Sequence, residues 1–316
     1  MNRIVIGLDT SNYRTSLAAV TLSGEILLNE RKLLPVPDGE RGLRQRDAVY
    51  AHLKQLKPMM EKLRALNEVG QPAAVCASVK PRNRVDSYMP VFEAGDTMGR
   101  GIAAAMGIPF FQTDHQSGHI RAAIHGTALE GTNRMLAFHL SGGTTDLLAV
   151  RNGETEELGS SLDLHAGQLV DRIGVALGCG FPAGPELEEL AVHGVSRGSL
   201  GCVVRNEGLC CHLSGAEAQA LRWIEQGSLS PEDISREIYD LLVRTVCRML
   251  SAGEKKTGFT DALICGGIAS SMLFREMLTE RLHRSRNRVH PVFGDPELSG
   301  DNAVGAALYG ADRLKE

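Results

Sequence analysis

The 316-residue sequence has no apolar run long enough for a membrane-spanning helix, which needs about 20 residues. It also lacks a charged-then-apolar leader: MNRIVIGLDTS passes straight into a strand-like pattern, so a cytoplasmic location without a membrane partner is expected. None of its seven cysteines (Cys76, Cys179, Cys202, Cys210, Cys211, Cys247, Cys265) forms a C-x-x-C pair. An odd number without a secretion signal predicts reduced thiols. Adjacent Cys210, Cys211 and His212 are poorly placed to converge on one ion, so packing is their expected role. There is no excess of positive charge; a net charge of −4 excludes overall attraction to nucleic acid but not a local basic patch. Low-complexity tracts and long linkers are missing too.

What is present suits two domains, each with its own core: 43% of residues are hydrophobic and 23% charged. Residues 3–8, TSLAAV ending at Val20, and EILLNE read as a three-strand meander. Residues 46–66 carry apolar residues at helical spacing, and Pro58 is expected to kink or split that helix. A strand over 73–79 follows, then a short strand leading into a helix that carries His115 and His119. At residue 135 the opening repeats: an apolar run, a small hydroxyl-rich turn, a threonine and another apolar run. Such a repeat predicts two lobes of like construction. Further on, GSSLDLHAGQLVDRIGVALG reads as a capped helix, 231–252 as an amphipathic helix opened by Pro231, and ALICGGIASSMLFREMLTERL as strand, turn and helix. A Ser/Asp-capped helix closes the chain.

Three small-residue turns adjoin strands: Asp9–Ser11, Ser141–Thr145 and Gly266–Gly267. Glycine permits close backbone approach to a ligand, and exposed N–H groups at such turns attract phosphate. The order of the three matches the two phosphate loops and the adenosine loop of the actin/hexokinase ATPases. His115 and His119, four apart on a helix, share a face and can reach one metal ion. The spacing is similar to the H-E-x-x-H zinc proteases, but Gln116 holds the glutamate position, and an amide cannot serve as general base.

Taken together the motifs resemble the tRNA threonylcarbamoyladenosine transferase family, the TsaD-like or glycoprotease-like proteins, nearly end to end. The matches are GLDTS at 7–11, HQSGH at 115–119, SGG at 141–143, SLDLHAGQLVD at 161–171, AGPELE at 183–188, HLSG at 212–215, GGIASS at 266–271 and SGDNAVGAAL at 299–308. The resemblance implies an α/β, two-lobed actin/hexokinase-like (ASKHA) fold with a duplicated mixed-sheet core. Its N-terminal lobe would run over 1–130, completed by a helix over 297–316, with a C-terminal lobe over 131–296. It implies transfer of a threonylcarbamoyl group from its adenylate to an adenosine near the tRNA anticodon. One iron or zinc ion between the lobes, held by His115, His119 and Asp301, would grip the donor, a Lewis-acid role that such ligands suit. Asp9 and Ser11 are the candidate catalytic residues. Ser141, Gly142, Gly143, Asp163, Gly167, Gly184, Gly266 and Gly267 would contact the adenine nucleotide. Asp163 and Asp171, eight apart, are expected on one helix face, with Asp171 facing solvent.

The departures fall near these residues. Asn12-Tyr13-Arg14-Thr15 puts a cation where the family carries a carboxylate, Thr144 stands where it has a histidine, and Val79-Lys80-Pro81-Arg82-Asn83 replaces a glycine-rich segment. The strand resembling S-F-S-G-L-K-T is Cys211–Glu217 here. A diverged paralogue that binds nucleotide and metal without this transfer, in a regulatory or scaffold role, therefore stays open, as do an ATPase and a metallopeptidase. If tRNA is a partner, Arg281, Arg284, Arg286, Arg288, Arg41, Arg44 and Arg46 are candidates for its path, although such runs usually coat a solvated face. The family also implies a smaller actin-fold partner, or a homodimer, through the N-lobe helices.

Overall fold

The computed structural model describes residues 2–11, 14–35, 43–65, 70–285 and 287–315. Asn12, Tyr13, Arg41 and Arg286, singled out above, lie outside the described residues, as does the last residue of the expected closing helix. Contacts divide the chain into two compact units, Met1–His125 with Gly300–Glu316, and Gly126–Ser299.

In the first unit β1 (Asn2–Thr10), β2 (Arg14–Thr21) and β3 (Ile26–Leu33) form an antiparallel meander. Helix α1 (Gln45–Ala65) leads to β4 (Gly70–Ser78), which pairs parallel with β1. Helix α2 (Phe92–Met106) leads to β5 (Phe110–Thr113), parallel to β4, and α3 (His115–Ile124) follows at once. The sheet order is β3-β2-β1-β4-β5. Every residue of β1 from Ile4 to Thr10 is buried, because both sheet faces are covered. Leu8 lies beneath α2 at Gly99, while its neighbour Gly7 lies beneath the closing helix at Ala303 and Ala307, as strand alternation requires.

Pro58 does not split α1, which runs unbroken across it. Lys54, Lys57 and Pro58 are all exposed, so water can take the carbonyl that the missing N–H leaves unpaired.

The second unit repeats the plan. β6 (Arg134–Leu140), β7 (Thr145–Arg151) and β8 (Glu154–Ser160) form its meander. Then come α4 (Ala166–Ala176), α5 (Gly184–His193), a two-strand ribbon of β9 (Val203–Arg205) and β10 (Cys210–His212), α6 (Ser214–Gln226) and α7 (Pro231–Thr257). β11 (Asp261–Cys265), α8 (Met272–Arg284) and β12 (His290–Phe293) complete it. The sheet order, β12-β11-β6-β7-β8, is the first unit's order read from the other edge. The register agrees as well: Thr10 pairs with Thr15 and Leu140 with Thr145, so each meander opens through a connection of equal length that ends on a threonine.

The chain closes in α9 (Val304–Arg313), shorter than the expected 297–316. Pro296–Leu298 is a separate 3-10 turn. Asn302 Oδ1 accepts from Val304 N at 3.0 Å, so Asn302, not Ser299 or Asp301, receives the first helical N–H. Asp301 is left available for another partner.

All seven cysteines are free thiols. Cys211 is fully buried, and burial pushes its thiol up to about 12, which agrees with a packing role. Among the described residues no helix is long and apolar enough to cross a membrane.

Candidate functional site

Five of the sequence-selected residues come together in the first unit. Asp9 is the last residue but one of β1, α3 starts on His115, and Asp301 lies just before α9. Glycines let these elements close up. A Cβ at Gly7 would lie 2.3 Å from the Ala303 carbonyl oxygen, and one at Gly305 only 1.8 Å from that of Gly118. Real side-chain carbons do not tolerate such distances, so α9 reaches β1 and α3 only because these positions lack Cβ atoms. Asp114 anchors the start of α3: its carboxylate accepts from Ser117 N at 2.9 Å and from Ser117 Oγ at 2.6 Å. Burial raises its pKa, against those hydrogen bonds. The Asp-x-x-Ser spacing before a helix was the sequence signal for this cap.

Within the cluster, His115 Nδ1 lies 2.8 Å from Asp9 Oδ2, and His115 Nε2 lies 3.6 Å from Asp301 Oδ1. His119 Nε2 lies 3.1 Å from both His115 Nε2 and Asp301 Oδ1. Burial alone would lower the His115 pKa, but Asp9 on one side and Asp301 on the other hold it well above its ordinary value. The carboxyls move the opposite way. Burial raises Asp9, and His115 more than offsets it; burial raises Asp301, and hydrogen bonds from His115 and His119 outweigh it.

This donor set fits a metal ion. Metal–nitrogen bonds of about 2.0–2.1 Å in a tetrahedral site place neighbouring ligand atoms roughly 3.4 Å apart. The observed 3.1, 3.1 and 3.6 Å bracket that spacing, and the three ligand atoms lie within 4.8 Å of one another. Asp9, accepting from the far nitrogen of His115, fixes the ring so that Nε2, on losing its proton to a bound ion, would turn its lone pair to the cluster, the usual carboxylate–histidine support of a ligand. All three candidate ligands belong to the first unit. His115, His119 and Asp301 are the one such group among the described residues.

Beside it, Ser11 N donates to Asp9 Oδ1 at 3.0 Å, and Ser11 Oγ is buried with no hydrogen-bond partner among the described residues. Arg14 Nη1 lies 3.5 Å from the Asp301 carbonyl oxygen. The sequence reading did not select His52. It is fully buried, with Nδ1 2.8 Å from Thr15 Oγ1. Thr15 gives its proton to Gln55 Oε1 at 2.6 Å, so His52 donates through Nδ1. Burial lowers its pKa to about 4, against opposing contributions from Asp9 and the Ser11 carbonyl.

The second unit gathers the other sequence-selected residues. A Cβ at Gly167 would lie 2.6 Å from Gly142 N, and Gly167 N donates to Ser141 O at 3.1 Å, so the first turn of α4 presses on the Ser141–Gly143 turn. Thr145 Oγ1 accepts from Ala166 N at 2.8 Å and fixes the same join. Gly266 has a φ of 97°, and its position would bring a Cβ within 2.2 Å of the Leu140 carbonyl oxygen. Gly142, Gly143 and Gly267 have open space around them, and Gly184 opens α5.

Asp163 lies before α4 and does not share a helix face with Asp171 as expected, because the helix starts only at Ala166. Its Oδ1 accepts from Leu164 N at 2.6 Å and Leu213 N at 2.9 Å; its Oδ2 accepts from Ser214 Oγ at 2.5 Å. Burial raises its pKa, but these bonds, Ser214 foremost, bring it below the ordinary value. Asp171 is not simply a solvent-facing acid: its Oδ1 accepts from Ala183 N at 2.9 Å and braces the loop before α5.

Two units of one topology, one with a His-His-Asp cluster and the other with glycine turns at its strand ends, define the ASKHA class. The chain belongs to the TsaD family, described as tRNA N6-adenosine threonylcarbamoyltransferase, whose model matches residues 38–308. It is 27% identical to the tRNA N6-adenosine threonylcarbamoyltransferase of Methanopyrus kandleri over 97% of this chain and 86% of the relative. Among solved structures, HypF from T. kodakarensis superposes with a TM-score of 0.64 at 14% identity, over 99% of this chain and 48% of HypF. The chain thus spans about half the length of that protein. The ROK hexokinase from Thermus thermophilus gives a TM-score of 0.54 at 19% identity, over 99% of both chains. At these identities the two structures speak to the fold alone.

Proposed function

We propose that this protein transfers a threonylcarbamoyl group from threonylcarbamoyl-adenylate to an adenosine near the anticodon of tRNA. The observation that carries the reading is the convergence of His115, His119 and Asp301, supported by Asp9, in a chain whose family model spans residues 38–308. His115, His119 and Asp301 would hold iron or zinc. Such an ion, when bound, supplies a Lewis acid for an oxygen of the donor. Asp9 keeps the Nδ1 proton of His115 in place and so sets which nitrogen faces the ion. Ser11, whose buried hydroxyl has no partner among the described residues, is the candidate to meet the reacting group. The adenylate would be held by Ser141, Gly142, Gly143, Asp163, Gly167, Gly184, Gly266 and Gly267. In this reading the two units are the family's two lobes, and a smaller actin-fold protein or a second copy of the chain is the expected partner.

Arg14 favours a second reading, a diverged relative that binds nucleotide and metal without this transfer. Its guanidinium stands beside the Asp301 carbonyl, where the family carries a carboxylate. The two separate on one experiment. The purified protein is given synthetic threonylcarbamoyl-adenylate and a tRNA lacking the modification, and the digested nucleosides are weighed by mass spectrometry. Transfer yields threonylcarbamoyladenosine. A protein that gains thermal stability with the adenylate but yields no modified nucleoside, alone or with a family partner, is the diverged relative.

A further inference from the structure

Two adjoining cavities of about 410 and 430 Å³ run along α7 and α8 in the second unit. Arg281 and Ser285 line both, so they form one continuous groove. Seven cationic side chains line it against three carboxylates, Asp240, Glu254 and Glu280. That surplus is opposite in sign to the chain's net charge of −4. Along α7 the cations run from Arg236 to Lys255, about 29 Å at 1.5 Å per residue. One turn of a nucleic-acid duplex is comparable, about 34 Å.

The cations are arranged in two ways. Arg236, Arg244 and Arg248 donate to the carbonyl oxygens of Ala191, Leu200 and Cys202, which ties their guanidinium groups to the backbone beside α7. Arg284 and Arg288 have side chains 75% and 76% exposed and pair with Glu280 and Glu254 respectively. Lys255 is exposed as well. Ser251, Ser285 and Asn287 add neutral polar groups. Among the described residues no aromatic side chain lines the groove, so they offer no ring for bases to stack on. Its apolar lining is confined to Val243, Cys247 and Met277, with none of the aromatic anchors typical of a protein–protein interface among the described residues. Seven cations against three carboxylates along the trough are the complement of a phosphate backbone.

We propose that the α7–α8 groove binds the phosphate backbone of the RNA substrate. This rests on the transferase reading, which supplies the RNA. The test uses the full chain and an unmodified tRNA transcript in filter binding across a salt series. The groove variant is Lys255→Gln/Arg284→Gln/Arg288→Gln, and the control is Lys54→Gln/Lys57→Gln/Arg64→Gln, all exposed on α1. Circular dichroism confirms that both variants fold. The groove variant is expected to bind about tenfold more weakly or worse near 0.1 M salt, with the log K against log salt slope shallower by about two to three. The control should stay within about twofold of the parent.

Equal affinity of the groove variant and the parent overturns the groove assignment and leaves the transferase reading standing. So does an equal loss in the control, which marks diffuse charge attraction. A parent that binds no transcript, even with a family partner present, overturns both. If poly-glutamate binds the parent more tightly than the transcript, and through the same three residues, the groove belongs to an acidic protein partner.

Discussion

Gly305 packs on Gly118 so closely that a Cβ at Gly305 would stand 1.8 Å from the Gly118 carbonyl oxygen. This contact holds the start of α9, and with it Asp301, against the helix that carries both histidines. Gly305→Ala should therefore cost stability, about 1–3 kcal/mol as overpacking usually does, and should also weaken metal binding. Thermal denaturation and metal titration on the same sample check both effects. Unchanged metal affinity would mean that Asp301 does not depend on this packing.

Asp9 touches no candidate ligand atom directly yet fixes one of the rings. Asp9→Asn should lower metal affinity by about 10–100-fold, the usual effect of removing the partner of a ligating histidine. His119→Ala should remove stoichiometric metal altogether. Metal content by mass spectrometry after dialysis against a weak chelator distinguishes the two.

His52 gives the protein a predictable acid response. Its folded pKa is lowered to about 4 by burial, whereas the unfolded ring titrates near 6.5. Between those values the unfolded chain takes up a proton that the folded chain does not, so stability falls as pH drops from about 6.5 toward 4. The loss from this ring approaches about 3 kcal/mol at the acid end. Melting temperature against pH should therefore be flatter for His52→Asn than for the parent over that window. Parallel curves would show that His52 is not the responsible group.

Gly167 presses on the Ser141–Gly143 turn, and a Cβ there would meet Gly142 N at 2.6 Å. Gly167→Ala should displace that turn and reduce the rise in melting temperature produced by saturating ATP or adenylate. If nucleotide binds through these turns, the parent should gain about 2.7 kcal/mol at a ligand concentration one hundred times Kd. An undiminished shift in the variant would place the nucleotide elsewhere.

Much of this arrangement was legible in the sequence. The threonine-ended turns at Thr15 and Thr145 revealed the duplication, because register is set by strand alternation and connection length, both written locally. The i, i+4 histidines fixed their own helix face. The completing Asp301 could be named only through the family resemblance, since a contact across 182 positions has no local signature. The bracing roles of Asp163 and Asp171 were hidden for the same reason: their partners, Ser214 and Ala183, lie in other segments. The strand expected over Cys211–Glu217 is realised only as β10, Cys210–His212, and the chain turns into α6 at Ser214; β9 and α6 escape the sequence because short or weakly periodic segments take their form from tertiary packing. Pro58 misled because solvent exposure offsets the lost helical hydrogen bond.

The account rests on three side chains holding one ion, and anomalous diffraction from crystals grown with zinc or iron tests this most directly. A single strong peak within bonding distance of His115 Nε2, His119 Nε2 and Asp301 Oδ1 is the predicted result. Bound metal at another place, with Asp301 turned away from both rings, would contradict it.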